Sequence, residues 1–473
     1  MNAAPRFRNV DGKKVLVVGL GRSGASAARL AMKKGAGSVV ATDRNDAAHI
    51  GDQKCIDLAK DGIRLELGGH KLASFLKSDL IVLSPGVPDF PEMAQAIEAN
   101  VPVVSEIELA SWYIRGSYVA ITGTNGKSTV TALTGEMIKA SGFTTFIGGN
   151  LGVPLSDVVD LPAAEEGGAL VVELSSYQLE RTYSLRPKVS VLLNVTADHL
   201  DRYGTLARYA ATKQRIFLNQ SSRDHAVVPG RDAAMLSMAR AGAAQIHTFG
   251  LNDSEVRNVG DGFLDATGEK FPLELLKIRG GHNLDNAMAS ILTARLFGAS
   301  TRGIRNALAA FEGLPHRMQF VLEDDGIQYF NDSKATNVGA TEKALIGMDR
   351  KFVLIAGGRD KGGSYAPLLP LLKANGRALV LMGEAAPLLK RELSSALPVR
   401  MAEDMFDAVR VARGLARKGD AVLLAPACSS LDMFENYEER GKAFSAAVRA
   451  MAGTNRQEED LEEVVDVDVV EEP

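Results

Sequence analysis

The feature that most constrains this chain is a glycine-rich turn about a quarter of the way along it. An apolar run at residues 118–122 leads into the letters GTNGKST and then into a helix-forming segment. Glycines let backbone N–H groups turn inwards and the helix adds its positive end, which is typical of a phosphate-binding loop. Lys127 can reach the terminal phosphates of a nucleotide, and the hydroxyl of Ser128 or Thr129 can hold Mg²⁺. The common motif has a further glycine where this chain has Ile121, so the loop is a shortened variant. The alternative is an ordinary strand–turn–helix connection.

A second glycine-rich segment lies near the N-terminus, where an apolar strand at residues 14–18 leads into GLGRSG and a helix. The next strand ends at Asp43, about 20 positions on, as in a dinucleotide-binding fold. Taken alone this predicts a nicotinamide-dependent dehydrogenase, but the same geometry serves any pyrophosphate, including that of a UDP-sugar. Asp43 could instead be a helix cap. A further strand, Leu80–Leu83, ends in SPG, at the sheet edge where ligands bind.

Polar side chains also follow two later apolar runs. Glu173 ends the run that begins at residue 169, and a carboxylate there is costly unless it is paired or bound to a metal. In a phosphate-loop protein, an acid at the end of a neighbouring strand is the natural partner of Mg²⁺. His199 follows the strand at residues 189–194 and would lie in the same layer as Lys127 and Glu173. The alternatives are an exposed strand-end glutamate and a structural histidine, and on the residues alone Lys213 is an ordinary surface lysine.

The C-terminal third alternates strands and helices, which predicts another parallel sheet with its loops on one edge. Those loops carry Lys, Ser, Thr and Asn, which suit the binding of a carboxylate. Between the central and C-terminal segments, Asn283 could be a simple helix N-cap. Arg317 lies beside a Gly/Pro hinge and could reach a phosphate, or could be a linker arginine in water.

The length of 473 residues predicts about three domains. The expected fold class is α/β, with a Rossmann-like N-terminal domain, a central parallel-sheet domain of the P-loop ATPase type and a Rossmann-like C-terminal domain. We place these domains at residues 1–115, 116–315 and 316–453. Residues 454–473 form an acidic tail that we expect to be disordered.

Composition excludes several classes of function. The net charge of −4 gives no sign of a nucleic-acid partner. Residues 458–472 carry nine acidic and no basic side chains, so the rest of the chain is mildly positive, which suits anionic ligands. Two distant cysteines outside any CxxC pattern indicate a reducing compartment and argue against a structural zinc site. No apolar run is long enough to span a bilayer, and the polar N-terminus is not a signal peptide. We expect a cytoplasmic monomer with no membrane partner.

Seven blocks of the sequence together resemble the Mur ligase family: GTNGKST, ELSSYQLE, NVTADHLDRY, GHN, GLPHR, NDSKATN and LAPACSSLDMFENYEERG. The resemblance covers residues 14 to about 451. GLGRSG, NDSKATN and SLDMFENYEERG are most similar to the members that add D-glutamate, and the DNPR block of a diaminopimelate-adding relative is absent. The resemblance implies an ATP- and Mg²⁺-dependent ligase that joins D-glutamate to UDP-N-acetylmuramoyl-L-alanine through an acyl phosphate, a cytoplasmic step of peptidoglycan synthesis.

The same resemblance implies roles for individual residues. The residues implied to bind ATP are Gly123, Thr124, Asn125, Gly126, Lys127, Ser128, Thr129, Asn283, Arg317 and Asp332. Those implied to hold metal are Ser128, Glu173, His199 and Lys213, the lysine being carbamylated in the family. Lys127, Glu173, His199 and Lys213 would be the catalytic set. Those implied to contact the UDP-substrate are Leu20, Arg22, Ser23, Asp43, Arg44, Ser84, Gly86 and Asn150. Those implied to bind D-glutamate are Lys361, Ser430 and Tyr437.

Two other classes of protein compete with this interpretation. A nicotinamide-dependent oxidoreductase would explain GLGRSG and Asp43, but leaves Lys127, Glu173 and the C-terminal domain without a role. A P-loop switch or motor would turn over nucleotide independently of any amino acid. Within the family, the alternatives are ligases that add L-alanine, a diamino acid or folate glutamates.

Overall fold

The computed structural model describes residues 4–150, 152–196, 198–250, 252–278, 281–360, 362 and 364–465, with the backbone only for 200, 201 and 453–465. The chain divides into two compact units, Met1–Phe311 and Glu312–Pro473. Of the helices in these ranges, none combines the length and hydropathy needed to cross a bilayer.

The first unit begins with a five-stranded parallel sheet of order β3-β2-β1-β4-β5. Strands β1, β4 and β5 are almost entirely buried, as their apolar runs require, whereas the edge strand β3 is partly exposed. The central strand β1 lies between β2 and β4, so the loop that follows it opens at the point where the strand order reverses. The strands are β1 (Lys14–Val18), β2 (Ser38–Asp43), β3 (Arg64–Leu67), β4 (Leu80–Leu83) and β5 (Val103–Ser105). The helices are α1 (Arg22–Lys33), α2 (Ala47–Ile50), α3 (Asp52–Lys60), α4 (Leu72–Leu76), α5 (Pro91–Glu98) and α6 (Glu106–Ser111).

The same unit contains a second sheet of nine strands, in the order β14-β13-β12-β11-β10-β9-β6-β8-β7. Pairing is parallel from β7 to β12, and the last two strands are antiparallel. Strand β6 lies between β8 and β9, so the turn after β6 opens beside the ends of both neighbours. The strands are β6 (Ser117–Thr122), β7 (Thr145–Gly149), β8 (Ala169–Glu173), β9 (Val189–Leu192), β10 (His225–Pro229), β11 (Gln245–Gly250), β12 (Val256–Asn258), β13 (Gly262–Asp265) and β14 (Lys270–Pro272). The helices are α7 (Lys127–Ala140), α8 (Ser176–Leu179), α9 (Leu200–Tyr203), α10 (Leu206–Gln214), α11 (Ala233–Ala239), α12 (Gly281–Phe297) and α13 (Thr301–Ala310).

The second unit is built on a six-stranded sheet of order β15-β16-β20-β17-β18-β19, in which only β15 is antiparallel to its neighbour. Apolar cores lie on both faces of this sheet. The strands are β15 (Gln319–Asp324), β16 (Ile327–Asn331), β17 (Phe352–Gly357), β18 (Gly376–Met382), β19 (Val399–Met401) and β20 (Ala421–Leu424). The helices are α14 (Val338–Ile346), α15 (Leu369–Asn375), α16 (Ala386–Leu393), α17 (Met405–Leu415) and α18 (Tyr437–Val465).

The predicted α/β class is confirmed, with three separate parallel-rich sheets. The boundaries at 115 and 315 stay predictions, since the first two sheets fall in one compact unit. The sequence predicts a disordered tail from residue 454, but in the structure α18 continues to Val465. Residues 454–465 include four glutamates, one glutamine and one arginine, which are good helix formers. The rest of the predicted tail, 466–473, lies outside the described residues.

Two buried carboxylates on α6 join the first two sheets. Glu108 accepts hydrogen bonds from the backbone N–H groups of Tyr183 (2.8 Å) and Ser184 (2.9 Å), and from the Ser184 hydroxyl (2.6 Å). Glu106 accepts one from Ser156 N at 2.5 Å. Burial raises the pKa of Glu106 to about 7. Glu108 therefore makes several hydrogen bonds across the junction. Glu106 makes one, and its burial favours the protonated, neutral carboxyl group.

Glu106 gives the folded protein a specific pH dependence. In the unfolded chain this carboxyl loses its proton near its ordinary pKa of about 4.5, whereas the folded protein keeps the proton up to about pH 7. The unfolded state binds fewer protons over this interval, so stability falls as pH rises through it. Glu106→Gln removes the titration and keeps an oxygen for Ser156 N. We expect the melting temperature of the variant, relative to the parent, to rise between about pH 5 and pH 7.5 in scanning calorimetry.

The matched control is Glu98→Gln, which makes the same change at an exposed position on α5. It should show no such trend with pH. A difference between Glu106→Gln and the parent that stays constant across this interval would contradict the assignment.

Candidate active site

The phosphate-binding loop joins β6 to α7 and depends on two glycines with positive φ. Gly123 has a φ of +153° and Gly126 a φ of +85°, conformations that side chains with a Cβ rarely adopt. A Cβ at Gly126 would also clash with Oδ1 of Asn286. Lys127 begins α7, and its Nζ folds back to donate to Gly123 O (3.0 Å) and Thr124 O (2.9 Å). Ser128, in the first turn of α7, is buried beneath the loop.

Asn194, which sequence reasoning missed, holds this loop from the side. Its Oδ1 accepts hydrogen bonds from Thr124 N (3.1 Å) and Asn125 N (2.8 Å), and its Nδ2 donates to Asn125 O (3.1 Å). Its backbone carbonyl also accepts from Thr124 N, at 2.9 Å. Asn194 follows β9, the neighbour of β6, and its position at a strand end within NVTADH is the signal that could have identified it.

Lys213 on α10 is buried, with only 1% of its surface exposed, so it is not the ordinary surface lysine that its local sequence indicates. Its Nζ donates to Gly123 O at 2.8 Å and lies 4.6 Å from the centre of the Tyr209 ring. Burial, with the nearby Lys127 ammonium group, lowers the pKa of Lys213 to about 7. Near neutral pH a large share of this amine is therefore uncharged and nucleophilic.

Glu173 ends β8 and is buried, so the alternative of an exposed strand-end glutamate is wrong. It pairs with Ile121 of β6 and with Gly149 of β7. Its Oε1 accepts a hydrogen bond from Asn150 Nδ2 at 2.9 Å, while its Oε2 is buried with no hydrogen-bond partner among the described residues. A buried carboxylate oxygen in this state is costly, and a cation would satisfy it.

His199 lies against the same cluster, at a left-handed backbone position with a φ of +51°. Its Nδ1 is 3.1 Å from the Tyr177 hydroxyl, and its ring packs edge-on against Tyr209, with the ring centres 6.1 Å apart. Because the Tyr209 ring also faces the Nζ of Lys213, this tyrosine connects His199 to the loop. Within the described residues, no three His, Cys, Asp or Glu side chains form a group that could hold a metal ion.

The loop after β1 is shaped by two side chains from neighbouring strands. Asp43 accepts hydrogen bonds from Leu20 N (2.7 Å) and Asn45 N (2.9 Å), so its proposed alternative role as a helix cap is wrong. The Ser84 hydroxyl donates to Gly19 O at 2.7 Å. Lys54, which sequence reasoning missed, donates from Nζ to Leu20 O at 2.5 Å. One oxygen of Asp43 thus holds the backbone after β1, and the other holds the backbone after β2.

The remaining predicted UDP-substrate residues surround the same sheet edge, except Asn150, which lies beside Glu173. Arg22 and Ser23 begin α1, where the N-cap is Gly21. Arg44 is exposed directly after β2, and Gly86 is exposed after β4 with a φ of +85°. Arginines beside a helix N-terminus make this edge suitable for an anion.

The predicted nucleotide residues outside the loop fall in both units. Asn283 lies in the first turn of α12, which begins at Gly281, so it is not the N-cap; its Oδ1 accepts from Asn286 Nδ2 at 3.0 Å. In the second unit, Asp332 follows β16 and is buried, which raises its pKa to about 6. Arg317 lies between two residues with positive φ, His316 (+61°) and Met318 (+42°).

The predicted D-glutamate residues belong to the second unit. Lys361 lies outside the described residues. Ser430 is buried in the loop after β20, and Tyr437 begins α18, where burial, with a contribution from Glu438, raises its pKa to about 12. Sequence reasoning missed Arg440, a buried arginine on α18 that donates to Ser333 Oγ (3.0 Å), Ser333 O (2.9 Å) and Cys428 O (3.2 Å). Arg440 therefore ties together the loops after β16 and β20.

Three family models match consecutive parts of the chain. They are the N-terminal domain of Mur ligases of the MurD-like type (residues 13–105), the Mur ligase middle domain (121–294) and the Mur ligase glutamate ligase domain (316–428). The chain belongs to the Mur ligase family. The predicted boundaries at 115 and 315 lie in the intervals between these matches. GLGRSG thus belongs to a Mur ligase N-terminal domain, so the dehydrogenase interpretation is wrong.

Similar proteins extend the relationship over nearly the whole length of this Mur ligase. A UDP-N-acetylmuramoylalanine–D-glutamate ligase of Geobacter sp. (strain M21) is 46% identical over 445 residues, covering 93% of this chain and 98% of the relative. The ligase of that name from Geobacter metallireducens is 44% identical, covering 94% and 99%. Among solved structures, the UDP-N-acetylmuramate-alanine ligase of Thermotoga maritima has a TM-score of 0.56 at 20% identity, covering 93% of this chain and 100% of that one. The MurF ligase of Thermotoga maritima in complex with ADP has a TM-score of 0.55 at 17% identity, covering 94% and 96%. The two structures support the fold alone.

Asn194 gives this Mur ligase a testable contact in its phosphate loop. Asn194→Ala removes the three side-chain hydrogen bonds to Thr124 and Asn125 and leaves only the backbone contact between Thr124 N and Asn194 O, so the loop is held less firmly. Each of these three hydrogen bonds contributes about 1 kcal/mol, and about 1.4 kcal/mol corresponds to a tenfold change, so we expect ATP affinity to fall by roughly tenfold or more in calorimetric titration. The matched control is Asn219→Ala, which removes a half-buried asparagine that donates to Leu185 O, away from the loop. Unchanged ATP affinity in Asn194→Ala would contradict this role.

Proposed function

We propose that this chain is the ligase that joins D-glutamate to UDP-N-acetylmuramoyl-L-alanine at the expense of ATP, a step in peptidoglycan synthesis. The observation that carries the proposal is its end-to-end similarity to ligases of that name. The buried Glu173 and Lys213 beside the phosphate loop fit this activity, because they would hold the Mg²⁺ that offsets the charge of the anions brought together in the reaction. We further propose that the protein acts in the cytoplasm as a monomer, with domains at 1–115, 116–315 and 316–453.

The UDP-substrate would bind at the edge of the first sheet. In this proposal, Leu20, Ser23 and Ser84 lie along the uridine diphosphate, with Asp43 shaping the loop through Leu20 N. The positive N-terminal end of α1 favours a diphosphate. Arg22, Arg44 and Gly86 complete this set, and Asn150 lies toward the muramoyl-alanine end.

ATP would bind at the turn between β6 and α7. We assign its phosphates to the backbone of residues 123–129 and to Lys127, and the rest of the nucleotide to Asn283, Arg317 and Asp332. Lys127 now donates to the loop carbonyls of Gly123 and Thr124, and we expect it to exchange those contacts for phosphate oxygens. A lysine can do this because its ammonium group carries three donors on a flexible stem.

The residues around the loop also fit Mg²⁺, which favours oxygen ligands and keeps some from substrate and water. Ser128 and Glu173 would hold it, the latter through the buried Oε2 that has no hydrogen-bond partner among the described residues. His199 would help to hold a second Mg²⁺, and a carbamylated Lys213 would lie beside the metal. When bound, Mg²⁺ supplies positive charge that offsets the charge of the phosphates.

The reaction proceeds in two steps that need no side-chain nucleophile. The carboxylate of the UDP-substrate attacks the γ-phosphorus of ATP, so that an acyl phosphate forms and ADP leaves. The amine of D-glutamate then attacks the acyl carbon, and inorganic phosphate leaves as the amide bond forms. Lys127 and Arg317 would offset the negative charge of the first step. Lys361, Ser430 and Tyr437 would bind D-glutamate for the second.

The function is tested by phosphate release from ATP in the presence of UDP-N-acetylmuramoyl-L-alanine. We expect D-glutamate to stimulate release strongly, and L-glutamate or L-alanine to have little effect. Lys127→Ala should lower the rate by about 100-fold or more, because it removes a charge that acts on the transferred phosphoryl group. The affinity for the UDP-substrate should change less than about twofold, since all of its proposed contacts except Asn150 lie at the first sheet.

Absence of stimulation by D-glutamate would overturn the specific assignment. Loss of UDP-substrate binding in Lys127→Ala, with a lowered melting temperature, would show instead that the variant has lost its fold. Phosphate release that needs no amino acid would favour a simple nucleotide hydrolase.

Carbamylation of Lys213 has its own test. The ammonium group of Lys213 first loses a proton; the neutral amine then adds CO₂ and loses a second proton, which gives an anionic carbamate. We expect protein equilibrated with ¹³C-bicarbonate near pH 8 to show a carbamate carbon resonance that is absent from Lys213→Arg. Lys188→Arg is the matched control, since Lys188 donates to Phe297 O away from the loop. A carbamate resonance that persists in Lys213→Arg would exclude this site.

A further inference from the structure

Two loops of the second unit leave the ends of adjacent parallel strands. One follows β17 and the other follows β20, and these strands pair along their length. The loops are joined at their start, because Arg359 N donates to Ser429 O (2.9 Å) and Ser429 N donates to Arg359 O (3.0 Å). Gly358 has a φ of +128°, and a Cβ there would clash with Ser429 O. The close approach of the two loops therefore requires glycine at this position.

Tyr365 joins the same two loops a second time, from beneath. Its side chain is only 1% exposed and packs in the core of the second unit. Its hydroxyl donates to Asp360 Oδ1 at 2.6 Å, in the loop after β17, and lies 3.1 Å from the Cys428 Sγ, in the loop after β20. Since the hydroxyl proton is directed to Asp360, the thiol of Cys428 is the donor in the second contact. The backbone N–H of Tyr365 donates to Glu392 Oε2 at 2.9 Å, which fixes the main chain at this residue.

The tyrosine hydroxyl stays protonated and can act as a fixed donor. Burial and the neighbouring Asp360 carboxylate both raise the pKa of Tyr365 well above its ordinary value. The chain of hydrogen bonds from Cys428 through Tyr365 to Asp360 thus keeps one direction at physiological pH.

We propose that the Tyr365 hydroxyl is a positioning group for the amino-acid substrate: it fixes the loop after β17 against the loop after β20. This inference rests on the proposed function, in which these loops contribute Lys361 and Ser430 to the D-glutamate site. Both carboxylates of D-glutamate are anionic and small, so the site depends on the spacing between donors on the two loops. Tyr365 touches neither substrate nor reacting atoms, and acts only through the loops.

The hydroxyl contributes more to loop position than to stability. Phenylalanine would fill nearly the same volume, so the core around position 365 would remain packed. Asp360 is exposed and can be hydrated when its donor is lost, and a thiol is only a weak donor. The loss of the hydroxyl therefore leaves the fold intact while it releases one of the two ties between the loops.

The test is steady-state kinetics of the full-length Tyr365→Phe variant, with phosphate release as the readout. We expect the KM for D-glutamate to rise by about five- to tenfold. The KM values for ATP and the UDP-substrate, and kcat at saturating D-glutamate, should change less than about twofold. Tyr329→Phe is the matched control, since it removes another buried hydroxyl of the same unit, one that lies 3.4 Å from Arg413 Nη1. It should leave all of these constants unchanged.

Changes at Cys428 provide a second, independent measurement. Cys428→Ala removes the donor to Tyr365 and should raise the KM for D-glutamate in the same selective way. Cys428→Ser keeps a donor at that position and should restore the parental value. An unchanged KM for D-glutamate in Tyr365→Phe would overturn the proposal. A parallel change of all three KM values with a lowered melting temperature would also overturn it, in favour of a purely structural role. If the parent protein shows no phosphate release that depends on D-glutamate, the proposed function fails, and this inference with it.

Discussion

Two lysine ammonium groups converge on one backbone carbonyl, and the central site depends on that contact. Lys127 and Lys213 both donate to Gly123 O, at 3.0 and 2.8 Å. Burial lowers the pKa of Lys213, and repulsion from the Lys127 ammonium group lowers it further. The fold holds the arrangement because Gly123 is fixed between β8 and β9, where Glu173 supplies an opposite charge. An anion would relieve the repulsion, whether it is a nucleotide phosphate or a carbamate on Lys213. The site is thus preorganised for negative charge.

Each of the three sheets uses the same physical device to position its proposed ligand contacts. Parallel strands bring their carboxyl ends to one edge, and the loops that leave this edge carry the polar groups. In the first sheet, Asp43 holds the loop after β1; in the second, Asn194 holds the loop after β6; in the third, Arg440 ties the loops after β16 and β20. The supporting side chain always comes from a neighbouring element, so that the loop is fixed before any ligand arrives.

The features predicted from the sequence are those encoded within a few residues. Strands such as β6 and β8 follow from continuous apolar runs, and the phosphate loop follows from glycines that only one local geometry requires. Two features could not be predicted, because each depends on packing between distant segments. They are the burial of Lys213 and the hydrogen bonds from Thr124 N and Asn125 N to the Asn194 side chain. For Lys213, only a family resemblance pointed to the position. In the tail from residue 454 two local signals conflict, since acidic composition favours disorder whereas helix propensity favours the continuation of α18 to Val465.

The glycine-rich segment GLGRSG shows how a motif can predict geometry correctly and chemistry wrongly. In a dinucleotide-binding fold, the acid at the end of the second strand binds a ribose hydroxyl. Here both oxygens of Asp43 already accept backbone N–H groups, from Leu20 and Asn45, so the carboxylate shapes the loop. Lys54 adds a contact to Leu20 O from α3 and places a cation beside the same turn. Strand, turn and helix are common to any fold that binds a pyrophosphate in this way. Lys54 lies outside the motif and reaches it only in the folded chain, so its contact with the turn is not encoded in the letters GLGRSG.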